Sequence, residues 1–299
     1  MSDQKRHTHH HNHIQESGKR LMIAFFLNLF FTVIEIIGSI FTGSIAILSD
    51  ALHDLGDSLS LGLAWYLEKF SRKGRDEFYS YGYRRFSLLG AVINAVVLSA
   101  GSVVILVKAI PALTNPGKVN ADGMIVLAVF GVLFNGLAVL RTRKGSSVNE
   151  KVVNLHLLED VLGWIAVLAG SILIKIFEWM IIDPILSCLI VAFVLFNVAG
   201  HFRELIRIIF QRIPENVSLQ TIRNFLKNIP GISSFHDLHI WSMDGEYNVL
   251  TVHLVIDRHL DVAKIEKLKE TVRAGLNELN IRHATLEIEF PGAACESCD

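Results

Sequence analysis

Six stretches of about 20 mostly apolar residues dominate this chain, near Leu21 to Phe41, Ile45 to Leu67, Phe86 to Val107, Gly123 to Leu140, Val152 to Ile174 and Trp179 to Ala199. A helix of roughly 20 apolar residues spans the ~30 Å hydrocarbon layer of a bilayer. Inside that layer each backbone N–H and C=O must find its partner within the protein, which restricts spanning structures to helices and closed barrels. The third and fourth stretches contain no charged residue, a pattern foreign to buried helices of soluble proteins. The sequence therefore predicts an α-helical membrane protein with six transmembrane helices.

Flanking charge predicts the orientation, because Lys and Arg are retained on the cytoplasmic side. Seventeen basic residues, from Lys5 through the Lys69–Arg85 and Arg141–Lys151 connections to Arg212, fall on one side. Three, Lys108, Lys118 and Lys175, fall on the other. Both termini are thus expected in the cytoplasm. The formal net charge of −1 gives no general attraction to nucleic acid, and none is expected as a partner. The first twenty residues lack a signal peptide's apolar stretch. Three cysteines, Cys188, Cys295 and Cys298, do not make a disulfide framework and suit a reducing compartment.

Past Arg212 the pattern becomes that of a soluble protein. Ser218 is expected to cap a helix running to Asn228, halted by Pro230 and Gly231. Strands follow over Phe235–Trp241 and Tyr247–Ile256, joined by a turn at Asp244–Gly245. Asp261 caps a second helix to about Leu279, and His283–Phe290 forms a third strand. This αββαβ order predicts a small α+β domain whose modest core favours dimerisation. The expected domains are a histidine-rich tail (1–20), a six-helix transmembrane domain (21–212), the αββαβ domain (213–291) and a Cys-x-x-Cys tail (292–299).

The second apolar stretch contains Asp50, His53, Asp54 and Asp57, although an ionised carboxylate in a bilayer costs several kcal/mol unless paired or solvated. His53 and Asp57 are four residues apart, so on a helix they share a face, with Asp50 one turn earlier. The fifth stretch repeats the spacing with His156 and Asp160. Two imidazoles and two carboxylates make a tetrahedral site suited to Zn2+, with cobalt or cadmium as competitors. Such a site binds metal only with neutral histidine and ionised aspartate, so protons compete for the same atoms. Glu35 is a further acid in the first stretch, expected either to pair with Asn28 or a neighbouring helix, to snorkel, or to serve the access path. Asp50 is the best candidate to support the ligands from behind, while Asp54 and Glu159 point off the motif stripes.

The segments Leu48–Asp57, Tyr81–Arg85, the uncharged span with Asn94, Asn154–Asp160, Asp183–Pro184 and His236–Trp241 resemble the cation diffusion facilitator family over nearly the whole chain. The resemblance implies a homodimeric exporter with a metallochaperone-like cytoplasmic domain, exchanging cytoplasmic zinc for external protons. Its transport-site positions fall on His53, Asp57, His156 and Asp160. Relatives hold regulatory zinc at positions corresponding to His236, His253, His283, Glu289, Cys295 and Cys298. Strand alternation independently puts His283, Thr285, Glu287 and Glu289 on one face, while His253 reads as lying in a strand apolar on both faces. His239 and His259 are expected to be solvated. His7, His9, His10, His11 and His13 form a metal-binding tract suited to concentrating zinc at the entrance. The short, histidine-free connection Arg141–Lys151 suggests a compact microbial version, and the cell (inner) membrane is the expected location. Two other readings compete. A membrane-anchored metal sensor would not need matched ligand pairs inside the bilayer. A metallohydrolase would keep one zinc position open for water, so an enzyme is not expected.

Overall fold

The computed structural model describes residues 25–71, 73–142, 148–258 and 260–292. The histidine tract, His259, Cys295 and Cys298 lie outside them. Six long helices occur among the described residues: α1 (Phe25–Thr42), α2 (Ile45–Ser71), α3 (Phe86–Thr114), α4 (Ala121–Thr142), α5 (Val148–Phe177) and α6 (Ile182–Ile209). Five of them are long and apolar enough to cross a membrane. The exception is α2, long enough at 27 residues but interrupted by Asp50, His53, Asp54 and Asp57.

Several helices outrun the apolar stretches that predict them. α3 continues past Val107 through Pro111 to Thr114, and α6 continues past Ala199 to Ile209. Helical hydrogen bonding does not stop where hydropathy falls, so polar ends such as Arg203 and Arg207 escape a hydropathy reading. At its other end α6 begins at Ile182 rather than Trp179. Glu178 adopts φ 57° there, breaking the chain between α5 and α6, and Pro184 occupies the first turn, where its missing N–H costs nothing.

The chain divides into two compact units, Met1–Lys69 with Leu89–Phe202, and Phe70–Leu88 with Arg203–Asp299. In the first, Phe31 of α1 stacks on Phe134 of α4 at 4.8 Å and meets Trp164 of α5 edge-on at 5.9 Å. Gly131 admits the indole, since a Cβ there would come within 2.2 Å of it. A second core joins α3 and α6 through Ala95, Leu98, Val194 and Val198, and a third adds Leu48 and Leu52 of α2.

The second unit contains α7 (Leu219–Lys227), β1 (Ile232–Ser242), β2 (Asn248–Ile256), α8 (Val262–Glu278) and β3 (Ile281–Glu289). Ser218 and Asp261 cap the two helices through their side chains, as the sequence indicates. The sheet order is β1-β2-β3, with β1 antiparallel and β3 parallel to β2. A parallel neighbour requires a crossover, which α8 supplies. Ile222, Leu226, Leu250, Leu254, Val272 and Leu276 form the core beneath the helices. β1 starts three residues earlier than its apolar pattern suggests, directly after Gly231, whose φ of 95° makes the turn.

The 70–88 segment belongs to this unit. Asp76 accepts hydrogen bonds from the Tyr83 hydroxyl (2.7 Å), Lys73 (3.1 Å) and the N–H groups of Phe78 and Tyr79. The Tyr83 hydroxyl, followed by Lys73 and those N–H groups, holds the Asp76 carboxyl well below the usual carboxylate range. Arg84 pairs with Asp244 at 3.6 Å and lies 4.1 Å over the Tyr247 ring.

Candidate functional site

Asp50, His53 and Asp57 follow one another at intervals of three and four along α2, so helical geometry alone aligns them. His53 Nε2 lies 3.6 Å from Asp57 Oδ2, and both side chains are largely buried. Two ligands at the ~2.0–2.1 Å bond length of zinc sit about 3.3 Å apart on a tetrahedral edge. A few tenths of an ångström of closure would let the pair share one ion.

The same stripe of α2 turns toward α5. An Asp50 oxygen lies 3.8 Å from where a Cβ at Gly163 would stand, so the carboxyl abuts a residue with no side chain. Gly163 is three residues beyond Asp160 and seven beyond His156, which places all three on one stripe of α5. Asp160 stands within electrostatic reach of Asp50. The backbone of α5 carries His156, whose side chain lies outside those described. Of the four ligand positions read from the sequence, His53 and Asp57 are thus seen in a pair, with the Asp160 stripe opposite.

Behind them the helices hold more acid than four ligands require. Glu35 is 1% exposed, which excludes snorkelling, and neither of its carboxyl oxygens bonds to Asn28. Asn28 instead donates to the Asp54 carbonyl (3.0 Å) and the Ser58 hydroxyl (3.1 Å), tying α1 to α2. The neighbours of Glu35 are the buried carboxyls of Asp54 and Asp50. Glu159 is exposed.

A second cluster lies on the sheet. His236 of β1 stands directly opposite His253 of β2, with ring centroids 5.2 Å apart. Glu289 of β3 reaches both, its Oε2 being 3.2 Å from His236 Nε2 and its Oε1 2.8 Å from His253 Nδ1. Ligand atoms of the three residues all fall within 4.8 Å of one another. The buried His236 Nε2 faces the carboxylate without making a hydrogen bond, as a donor atom aimed at a cation does, and 3.2 Å matches the tetrahedral edge. These three residues could together hold one metal ion. β2 alternates here rather than being apolar on both faces: Leu250, Val252 and Leu254 are buried, while Thr251, His253 and Val255 lie on the more open side.

His283 pairs with Val249, four residues or about 13 Å along β3 from Glu287, and meets the Tyr81 ring edge-on at 5.6 Å. His239 is exposed and bonded to Asp237 at 2.8 Å. Two acids not read as ligands from the sequence approach His253 Nε2: Asp237 at 3.4 Å and Glu287, which alternation places on the same face as Glu289, at 3.3 Å. Asp237 reaches it from an irregularity in β1, where its φ is 49°. The signal was available, since the alternation of β1 breaks at His236–His239 and aspartate tolerates that conformation.

Residues 21–210 match the family described as "Cation efflux transmembrane domain", and residues 214–290 match "Cation efflux protein, cytoplasmic domain". A Bacillus subtilis (strain 168) protein named "Cadmium, cobalt and zinc/H(+)-K(+) antiporter" is 33% identical over 284 residues, covering 93% of this chain and 91% of the relative. The "Metal cation efflux system protein CzcD" of Cupriavidus metallidurans is 32% identical over 97% of this chain and 92% of its own length. "Zinc transporter ZitB" of Escherichia coli K12 is 29% identical, over 95% and 92% respectively. With its acid–imidazole pair inside a long membrane helix and its αββαβ domain following α6, the chain belongs to the cation diffusion facilitator family of cation efflux transporters.

Proposed function

We propose that this protein expels Zn2+ from the cytoplasm in exchange for protons, by alternating exposure of one site made of His53, Asp57, His156 and Asp160. The observation that carries the reading is the His53–Asp57 pair at 3.6 Å on the stripe of α2 whose Asp50 abuts α5 at Gly163. Two nitrogen and two oxygen donors suit zinc, and also cobalt and cadmium, better than the hard cations magnesium and calcium. The Bacillus relative's name supports exchange against protons, the Cupriavidus relative's supports metal efflux and the Escherichia relative's supports zinc as the substrate.

Coupling follows from the ligands themselves. Zinc needs neutral imidazole and ionised carboxylate, so a site open to the cytoplasm loads metal by releasing protons. Reopened outward, it gives the metal up as protons return, with His53 and His156 carrying at least part of that flux. Such reorientation is a rigid-body motion of helix groups around a midplane site. In this reading residues 21–212 are the transport domain of a homodimer in the cell membrane, with both termini cytoplasmic. Residues 213–291 sense zinc through His236, His253 and Glu289. Zinc flux into proteoliposomes under an imposed pH gradient tests the proposal. Flux that ignores the gradient, or survives Asp57→Ala, overturns it.

A further inference from the structure

Asp183 is 1% exposed at the start of α6, yet its carboxylate is spent on another helix. One oxygen accepts from the Ile45 N–H at 2.8 Å. The other accepts from the Ala46 N–H at 3.2 Å and from the Ser44 hydroxyl. Ser44 Oγ in turn accepts from the Ile47 N–H at 3.1 Å. The N-terminal N–H groups of a helix have no intrahelical partner and carry the positive end of its dipole. Asp183 and Ser44 together satisfy the first three of α2, and the Ser44 carbonyl takes the fourth, from Leu48. One turn further, Ser49 Oγ lies 2.7 Å from Ser187 Oγ. Since the Ser49 hydroxyl already donates to the Ile45 carbonyl, Ser187 is the donor of this bond. The first two turns of α2 are therefore stitched to the first two turns of α6.

This clamp stands one turn before Asp50 and two before His53 on a continuous helix. A straight helix transmits rotation and translation at its capped end to every later turn. We infer that Asp183 is a positioning residue, fixing the rotation and depth of α2 against α6 and thereby the aim of His53 and Asp57. The inference rests on the transport-site reading above. It differs from that reading in assigning work to a residue that touches neither metal nor its ligands. In Asp183→Asn, an amide NH2 replaces one acceptor oxygen and opposes a backbone N–H, so the charge and at least one bond of the cap are lost while size is kept.

Two measurements on the full chain test this. The first is disulfide cross-linking of Ser49→Cys/Ser187→Cys in a Cys188→Ser background, with and without Asp183→Asn. It reads the clamp independently of metal, and the inference expects cross-linking to slow several-fold when Asp183 is changed. The second is the zinc KM and maximal rate of exchange in proteoliposomes for Asp183→Asn, Ser44→Ala and the double variant. Losing a charge-assisted cap predicts a KM raised about tenfold in Asp183→Asn, less in Ser44→Ala, and no further in the double variant. Should Asp183→Asn fail to fold, Ser44→Ala decides, a raised KM supporting the inference and a wild-type KM refuting it. Unchanged cross-linking, or folded Asp183→Asn with a wild-type KM, overturns it. If Asp57→Ala in the same assay leaves zinc flux intact, the transport-site reading has failed instead.

Discussion

The two acid–imidazole clusters are built on opposite principles. In the membrane, His53 and Asp57 meet because a helix returns to the same face every three to four residues. On the sheet, His236, His253 and Glu289 meet across three strands, through cross-strand register. The helical pair sits in a setting where charge is costly unless bound or neutralised. The sheet cluster is partly exposed and ringed by the further acids Asp237 and Glu287. Under the proposed function, the first would hold a coupled ion that comes and goes with protons, and the second would sense zinc.

Removing a membrane ligand should break the comparison most sharply. Asp57→Ala or Asp160→Ala is expected to lower zinc flux by about two orders of magnitude or more, with a monodisperse, folded protein on size-exclusion chromatography. Acidity should come next. Loading from the cytoplasmic face is expected to fall as pH there drops, because protons compete with the metal for the same ligand atoms. The check is initial zinc flux against internal pH at a fixed gradient.

The sheet cluster should respond differently. In full-length protein already carrying Asp57→Ala, adding Glu289→Gln should remove one bound zinc per chain in equilibrium dialysis. Alone, Glu289→Gln should leave transport running with its zinc dependence shifted by less than about tenfold. His283→Ala should leave zinc content at the wild-type value, since that residue stands about 13 Å along its strand from the cluster. The smallest effect belongs to the 70–88 segment. Because the Asp76 carboxyl is held below its ordinary range, its ties should be fully present above about pH 4 and be lost only as pH falls through that lowered value. Hydrogen exchange at Phe78 and Tyr79 should therefore be faster in Asp76→Asn at neutral pH, with the difference vanishing in strong acid.

What could be read beforehand follows the same division. Helical spacing is written along the chain, so His53, Asp57, His156 and Asp160 stand out as repeated pairs. The caps at Ser218 and Asp261 and the αββαβ order are equally local and equally legible. Register between strands is not local. Alternation indicated that Glu289 shares a face with His283, but not that β3 would place Glu289 beside His253 and His283 beside Tyr81. The irregularity that turns Asp237 toward His253 was visible only as a broken alternation. The Asp183 cap on α2 joins residues 137 to 139 positions apart, a distance that no pattern in a single sequence encodes. Helix ends escape the sequence for a related reason, since hydropathy marks the oily layer rather than the last hydrogen bond.

The central claim is that one divalent ion is gripped between α2 and α5. Anomalous scattering at the zinc edge, from zinc-loaded crystals of the Glu289→Gln protein, tests it most directly. The account predicts a peak bonded at about 2.0–2.1 Å to His53, Asp57, His156 and Asp160. A zinc-transporting protein with no peak there, or with zinc held between α2 and a helix other than α5, would contradict it.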